Sequence, residues 1–199
     1  MTVADSMNSS KRVLTKIEVA EAQLKCAITL FFSKADPIPI ETLVGAASGV
    51  LRGLAKRHGV QAILHENDLI NPERKSEWIT TLHKEQNYFK HADNDSDQVL
   101  EYNPVGFTYL LLEACHLYSH LASDKFLKHH QCYECIVYQT WFSLAHPHLL
   151  KDPKEWHAFI GHHLEGIEAS DLDFFKKLIV LNDTKPSTRS RTDPSTSSG

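Results

Sequence analysis

Three groups of residues have the types and spacing for chemistry. The first is Lys84, Asn87 and His91, in the run Leu82-His83-Lys84-Glu85-Gln86-Asn87-Tyr88-Phe89-Lys90-His91. Positions three, four and seven apart share one face of a helix. A cation, an amide and an imidazole placed so can bind a phosphate and move a proton. The competing reading is a solvated helix face near its C-terminal end, where lysine and histidine suit the helix dipole. The second group is Glu113, His116 and His120, a Glu-x-x-His with a further histidine one turn on. A carboxylate with two imidazoles suits zinc or iron. A di-iron bundle needs two such motifs pointing inward, and His162-His163-Leu164-Glu165 reverses the order. The third group is His129-His130-Gln131-Cys132-Tyr133-Glu134-Cys135. Zinc takes four Cys or His ligands, and a Cys-x-x-Cys normally sits in a turn. Here the periodicity predicts a mid-helix position and no second cysteine pair exists, so histidines would have to complete a zinc site. A thioredoxin-like role for the pair wants a strand ahead of it.

Helices must position these groups. Val13, Ile17, Ala20, Leu24, Ile28, Phe31 and Ala35 recur at three- and four-residue spacing and predict a helix over 11–34. Asp36-Pro37-Ile38-Pro39 breaks it. A second helix over 40–58 ends at Gly59. Asn71-Pro72, Asn103-Pro104 and Asp152-Pro153 each read as an N-cap followed by proline at the first helical position. They open helices three, four and six. Trp78, Leu82 and Phe89 mark the apolar face of the third. Phe107, Leu111, Cys115, Tyr118 and Ala122 mark that of the fourth, with Glu113, His116 and His120 opposite. A fifth helix spans 123–145, and a seventh, capped by Ser170, carries Leu172, Phe175, Leu178, Ile179 and Leu181. Asp93 to Asp97 reads as a hydrophilic loop, and 99–102 as a short extended piece. Gly45, Gly49 and Gly53 recur every fourth residue in the second helix. Each costs about 1 kcal/mol relative to alanine, so the pattern predicts a close neighbour, either another helix of the bundle or a second subunit in a homodimer. The expectation is an all-α, up-and-down bundle of six or seven helices in one domain over 12–181, with disordered ends at 1–11 and 182–199.

The chain has 199 residues, 42% of them apolar and 23% charged, which suits one core of ordinary size. A net charge of −4 and a pI near 6.3 argue against a domain devoted to gripping long nucleic acid. The polar start lacks a signal-peptide segment, and no run of about 18 apolar residues is present. The reading is a cytoplasmic protein without a membrane span. Four cysteines are too few for a disulfide scaffold and read as reduced thiols. Histidine is abundant, at 13, so the net charge climbs below about pH 6.5. There is no Gly-rich phosphate loop, no Gly-x-Ser-x-Gly elbow and no His-Glu-x-x-His.

The long helical pair followed by a helix bearing Lys84, six intervening residues and His91 resembles the HEPN superfamily over roughly residues 12–122. These are bacterial and archaeal helical bundles, many tied to toxin–antitoxin and defence systems. Their signature is an arginine, four to six residues and a histidine at a dimer cleft. In catalytic members the pair serves metal-independent RNA cleavage. The resemblance implies His91 in the proton-transfer role, Lys84 on phosphate and Asn87 assisting. The run Phe89-Lys90-His91-Ala92-Asp93 also resembles uncharacterised bacterial proteins. The chain departs from the signature: Lys84 offers a point charge where arginine offers a planar fork, and Glu85, which would repel phosphate, stands where the family often has asparagine. Three readings follow: RNA binding or cleavage, a non-catalytic helical module for a protein or small ligand, and a metalloprotein using zinc or iron. Whether the chain is an enzyme stays open at this stage. If the HEPN resemblance extends to catalysis, metal-free protein cuts RNA in chelator and a His91→Ala variant does not; an inert wild type excludes catalysis at this helix.

Overall fold

The computed structural model describes residues 11–62, 64–65, 72–90, 97–149 and 166–183. Among them are six α-helices and no strand: α1 (Lys16–Phe32), α2 (Pro37–His58), α3 (Lys75–Lys90), α4 (Gly106–Leu121), α5 (Tyr133–Ala145) and α6 (Leu172–Asp183). The chain is an all-α bundle. The helix expected over 152–164 lies outside the described residues, as do 1–10 and 184–199.

Local chemistry sets the helix ends. α1 starts at Lys16 rather than Lys11 because Thr15 and Glu18 form a reciprocal cap. Thr15 Oγ accepts from the Glu18 N–H at 3.4 Å, and the Glu18 carboxylate accepts from the Thr15 N–H at 2.7 Å. Val13 is left outside the stripe and 95% exposed. The Asp36-Pro37 break also starts α2: Asp36 Oδ1 accepts from the Ile38 N–H at 2.8 Å, with Pro37 at the first helical position. Gly59 ends α2 with φ of 68°. Pro72 opens a single 3-10 turn, Pro72–Arg74, leading into α3. Asp171, not Ser170, caps α6, its Oδ1 accepting from the Phe174 N–H at 3.0 Å.

The core is one apolar cluster. α1 packs most extensively on α2, α2 on α4, and α5 closes the ring against α1 and α4. Ala20, Leu24, Ala27, Ile28 and Phe32 face Val44, Ala47 and Leu51, with Leu111, Ala114, Leu117, Tyr118 and Tyr138 completing the interior. An aromatic knot of Phe31, Phe32, Tyr138 and Trp141 holds α1 to α5, and Phe32 stacks on Phe175 of α6 at 5.5 Å between ring centres. α3 lies outside this ring, contributing one buried residue, Gln86. Residues 99–102 are irregular rather than extended strand.

The glycine series on α2 meets a close neighbour at one of its three positions among the described residues. Gly45 meets Gln86 of α3, where a Cβ would sit 2.8 Å from the side chain, while among the described residues a Cβ at Gly49 or Gly53 would meet nothing within 4 Å and both glycines are exposed. The glycine pattern therefore records one close approach, to a side chain. α2 is also the one described helix long and apolar enough to cross a bilayer by composition, with 44% of its most apolar window buried inside the bundle.

The largest departure is in the segment expected to begin the fifth helix. Residues 122–132 form a turn and an extended stretch, not helix. Backbone N–H groups of Leu127, Lys128 and His129 reach back to Leu121, Ser123 and Ala122 at 3.1, 3.1 and 2.9 Å, and Lys128 takes φ of 49°. α5 begins only at Tyr133, with Cys132 as its N-cap residue.

Truncating Phe32 removes the ring shared by α1, α5 and α6. Phe32→Ala should lower stability by about 4 kcal/mol, read as a lower urea midpoint with an unchanged slope.

Candidate metal centre

Glu21, Glu41, Glu113 and Glu134 are all buried, at 7%, 2%, 1% and 3% exposure. A buried carboxylate needs donors or a proton. Each of the four meets this differently, and the differences define the candidate sites.

Glu113 anchors the connection that follows α2. Its Oε1 accepts from the Leu64 and His65 N–H groups at 2.5 and 3.2 Å, and its Oε2 accepts from His65 Nδ1 at 2.5 Å. Burial pushes the Glu113 carboxyl upward, but these bonds outweigh it and hold it below its ordinary value. The network runs on into α3, where His65 Nε2 lies 2.9 Å from His83 Nε2 and His83 Nδ1 lies 3.2 Å from Gln86 Oε1. Burial, and then the nearby Arg52 guanidinium, disfavour a charge on His83. The two Nε2 atoms thus face each other across this joint. Trp78 Nε1 donates to the Leu64 carbonyl at 2.8 Å and closes the same joint.

Glu113 is thus committed to residues 64 and 65. His116 is half-buried and His120 exposed, with ring centres 4.4 Å apart. Burial, with His120 beside it, lowers His116 from its ordinary value. The structure pairs these two histidines with each other and gives the Glu113 oxygens to His65 and the backbone. Lys84 and Asn87 are both exposed on α3; His91 lies outside the described residues.

Glu21 is the centre of a different group. It sits on the inner stripe of α1, between Ile17 and Leu24, facing the turn that leads into α5. His129 Nε2 donates to Oε2 at 3.0 Å and His130 Nε2 to Oε1 at 2.7 Å. Lys25 Nζ lies 2.9 Å from Oε1 and 3.9 Å from Glu134 Oε2. Burial works to raise the Glu21 carboxyl, but bonds from Lys25, His129 and His130 prevail and hold it at about 2. The turn is fixed from behind by Tyr118, whose hydroxyl donates to the His130 carbonyl at 3.0 Å.

Glu21, His129 and His130 are the one group among the described residues whose three ligand atoms all lie within 4.8 Å of one another. Zinc bonds imidazole nitrogen and carboxylate oxygen at about 2.0–2.2 Å, so small ring movements would bring all three onto one ion. His130 is exposed and His129 half-buried, which leaves an outward position for water or a ligand. The Lys25 ammonium opposes a cation here, yet it is part-exposed and has Glu134 as a second berth. Beneath the turn, Cys132 donates to Glu134 Oε2 at 3.3 Å. Cys115, Cys132 and Cys135 are buried free thiols, while Cys26 is exposed. Burial pushes the Cys115 and Cys135 thiols upward, and Cys135 followed by burial does the same for Cys132. The Cys-x-x-Cys is thus a set of protonated core thiols, with the histidines before it carrying the ligand geometry.

Glu21 was not among the residues singled out from sequence, although a signal for it existed: a glutamate at a stripe position, three residues before Leu24 and four after Ile17. Glu41, beside Ile40 and three residues before Val44, carries the same signal. Its one donor among the described residues is the Tyr102 hydroxyl, at 2.9 Å. Burial, with Glu85 nearby, raises Glu41 from 4.5 to about 7.

No family model, no curated protein and no solved structure matches the chain.

A glutamate whose proton affinity is higher in the folded state than in the unfolded one favours folding below pH 4.5, and that advantage is lost as the pH rises through 7. Glu41→Gln removes this dependence. Its melting temperature should exceed that of the wild type at pH 8, with the gap closing at pH 4.5; a constant gap across that range would show that Glu41 does not titrate in it.

Proposed function

We propose that the chain is a metal-binding helical-bundle protein that holds one divalent transition ion, zinc first, on Glu21 Oε and the Nε2 atoms of His129 and His130. The observation that carries this reading is the convergence of those three ligand atoms from two segments 108 residues apart, within 4.8 Å of one another. Two imidazoles and one carboxylate form a borderline set that suits zinc, and iron(II) as the second choice. Three protein ligands with an open outward position suit a centre that keeps water or takes a further ligand. The ion would join α1 to the entry of α5, so binding would stabilise the fold by linkage.

A second reading rests on α3. Lys84 and Asn87 are both exposed on that helix, which leaves them accessible to an RNA phosphate in the HEPN manner. That reading needs no metal, and cleavage that persists in chelator would favour it.

Titration of chelator-treated protein with zinc should show one site per chain. Glu21→Gln and His130→Ala should each weaken binding by more than about 100-fold, beyond the 10- to 100-fold typical of outer partners. Lys25→Met, which removes the competing ammonium and keeps the apolar stem, should strengthen it. Binding that is absent in the wild type, or unchanged in Glu21→Gln, contradicts the proposal.

A further inference from the structure

The fourth buried glutamate borders a cavity. A cleft of about 390 Å³ opens between α2, α3 and the start of α4. Its walls are largely apolar, with Trp78, Leu82, Tyr109 and Leu110 among the lining residues, and its polar lining includes Glu41 and Glu85. Among the described residues, no lysine or arginine lines it. A volume of this size suits a small organic ligand.

Charge decides which ligand. Glu21 has Lys25 and two histidines, Glu113 has two backbone N–H groups and an imidazole, and Glu134 has Lys25 and a thiol. Among the described residues Glu41 has a single neutral donor, the Tyr102 hydroxyl, and a second carboxylate, Glu85, as its neighbour. Two carboxylates beside an apolar wall, with no countercharge among the described lining residues, form a site suited to a cation. A metal ion would want more oxygen ligands than two glutamates and would gain nothing from Trp78 and Leu82. An organic cation answers both features. Its charge meets the carboxylates, and its apolar body takes the indole and leucine walls, where cation–π attraction adds to burial.

We infer that the cleft bounded by Glu41, Glu85, Trp78 and Tyr109 is a binding site for a small organic ammonium ion with an apolar, aryl-alkyl body. Glu41 and Glu85 neutralise the ammonium, and Trp78 and Leu82 cover the body. This site does not depend on the metal centre, because the two share no residue.

The test uses the full chain in chelator, titrated with phenethylammonium and with its neutral counterpart 2-phenylethanol, followed by calorimetry and Trp fluorescence. The cation should bind at least tenfold more tightly than the alcohol. Glu41→Gln and Glu85→Gln, each checked for unchanged helical content, should each remove most of that preference while leaving binding of the alcohol unaltered. Equal affinity for the two compounds overturns the inference. So does failure of phenethylammonium and a quaternary aryl-alkyl analogue to bind, or a preference that survives in both variants.

Discussion

Burying a carboxylate among packed helices is costly unless donors surround it, and this bundle does so on α1, α2, α4 and α5. Glu21, Glu41, Glu113 and Glu134 are all buried among apolar side chains. Each dictates the structure of what lies opposite. Glu113 requires a pair of backbone N–H groups and an imidazole, so the chain after α2 turns at Leu64 and His65 instead of continuing outward. Glu21 requires donors from across the bundle, so the chain after α4 leaves the helix and presents His129 and His130.

This second requirement links the fold to the candidate function. A continuous helix through 123–145 would satisfy its own backbone. The observed turn instead closes with backbone bonds to Leu121, Ala122 and Ser123, and it sets Lys128 in the left-handed region. In exchange it delivers two imidazoles to a buried carboxylate and lets Tyr118 hold the His130 carbonyl. The constellation that satisfies Glu21 without metal is also the one that would ligate an ion, with Lys25 as the ammonium to be moved aside.

Much of the fold is legible in the residues. Stripe spacing, the proline-led helix starts and Gly59 place five of the six described helices to within a few residues, because these signals act within one or two turns. The departures arise where long-range chemistry overrides local pattern. Phe126 and His130 fit a helical stripe with Tyr133, yet Glu21, 109 residues before His130, decides that segment. The glycine series on α2 predicts a close neighbour along its length, but among the described residues only Gly45 has one, the Gln86 side chain. Glu113, His116 and His120 share a helix face, but sequence spacing does not show that His65 takes the carboxylate. The histidines of the candidate metal centre are visible in the sequence as potential ligands; their carboxylate partner becomes visible only when α1 and the α4–α5 turn are brought together.

The account turns on which atoms an ion would meet. Zinc K-edge X-ray absorption on protein loaded with one equivalent reads this directly. The account predicts a shell of nitrogen and oxygen only, at about 2.0–2.2 Å, with the outer scattering of two imidazoles and loss of one imidazole in His130→Ala. Sulfur scatterers at about 2.3 Å would place the ion on the Cys132 and Cys135 thiols and contradict it.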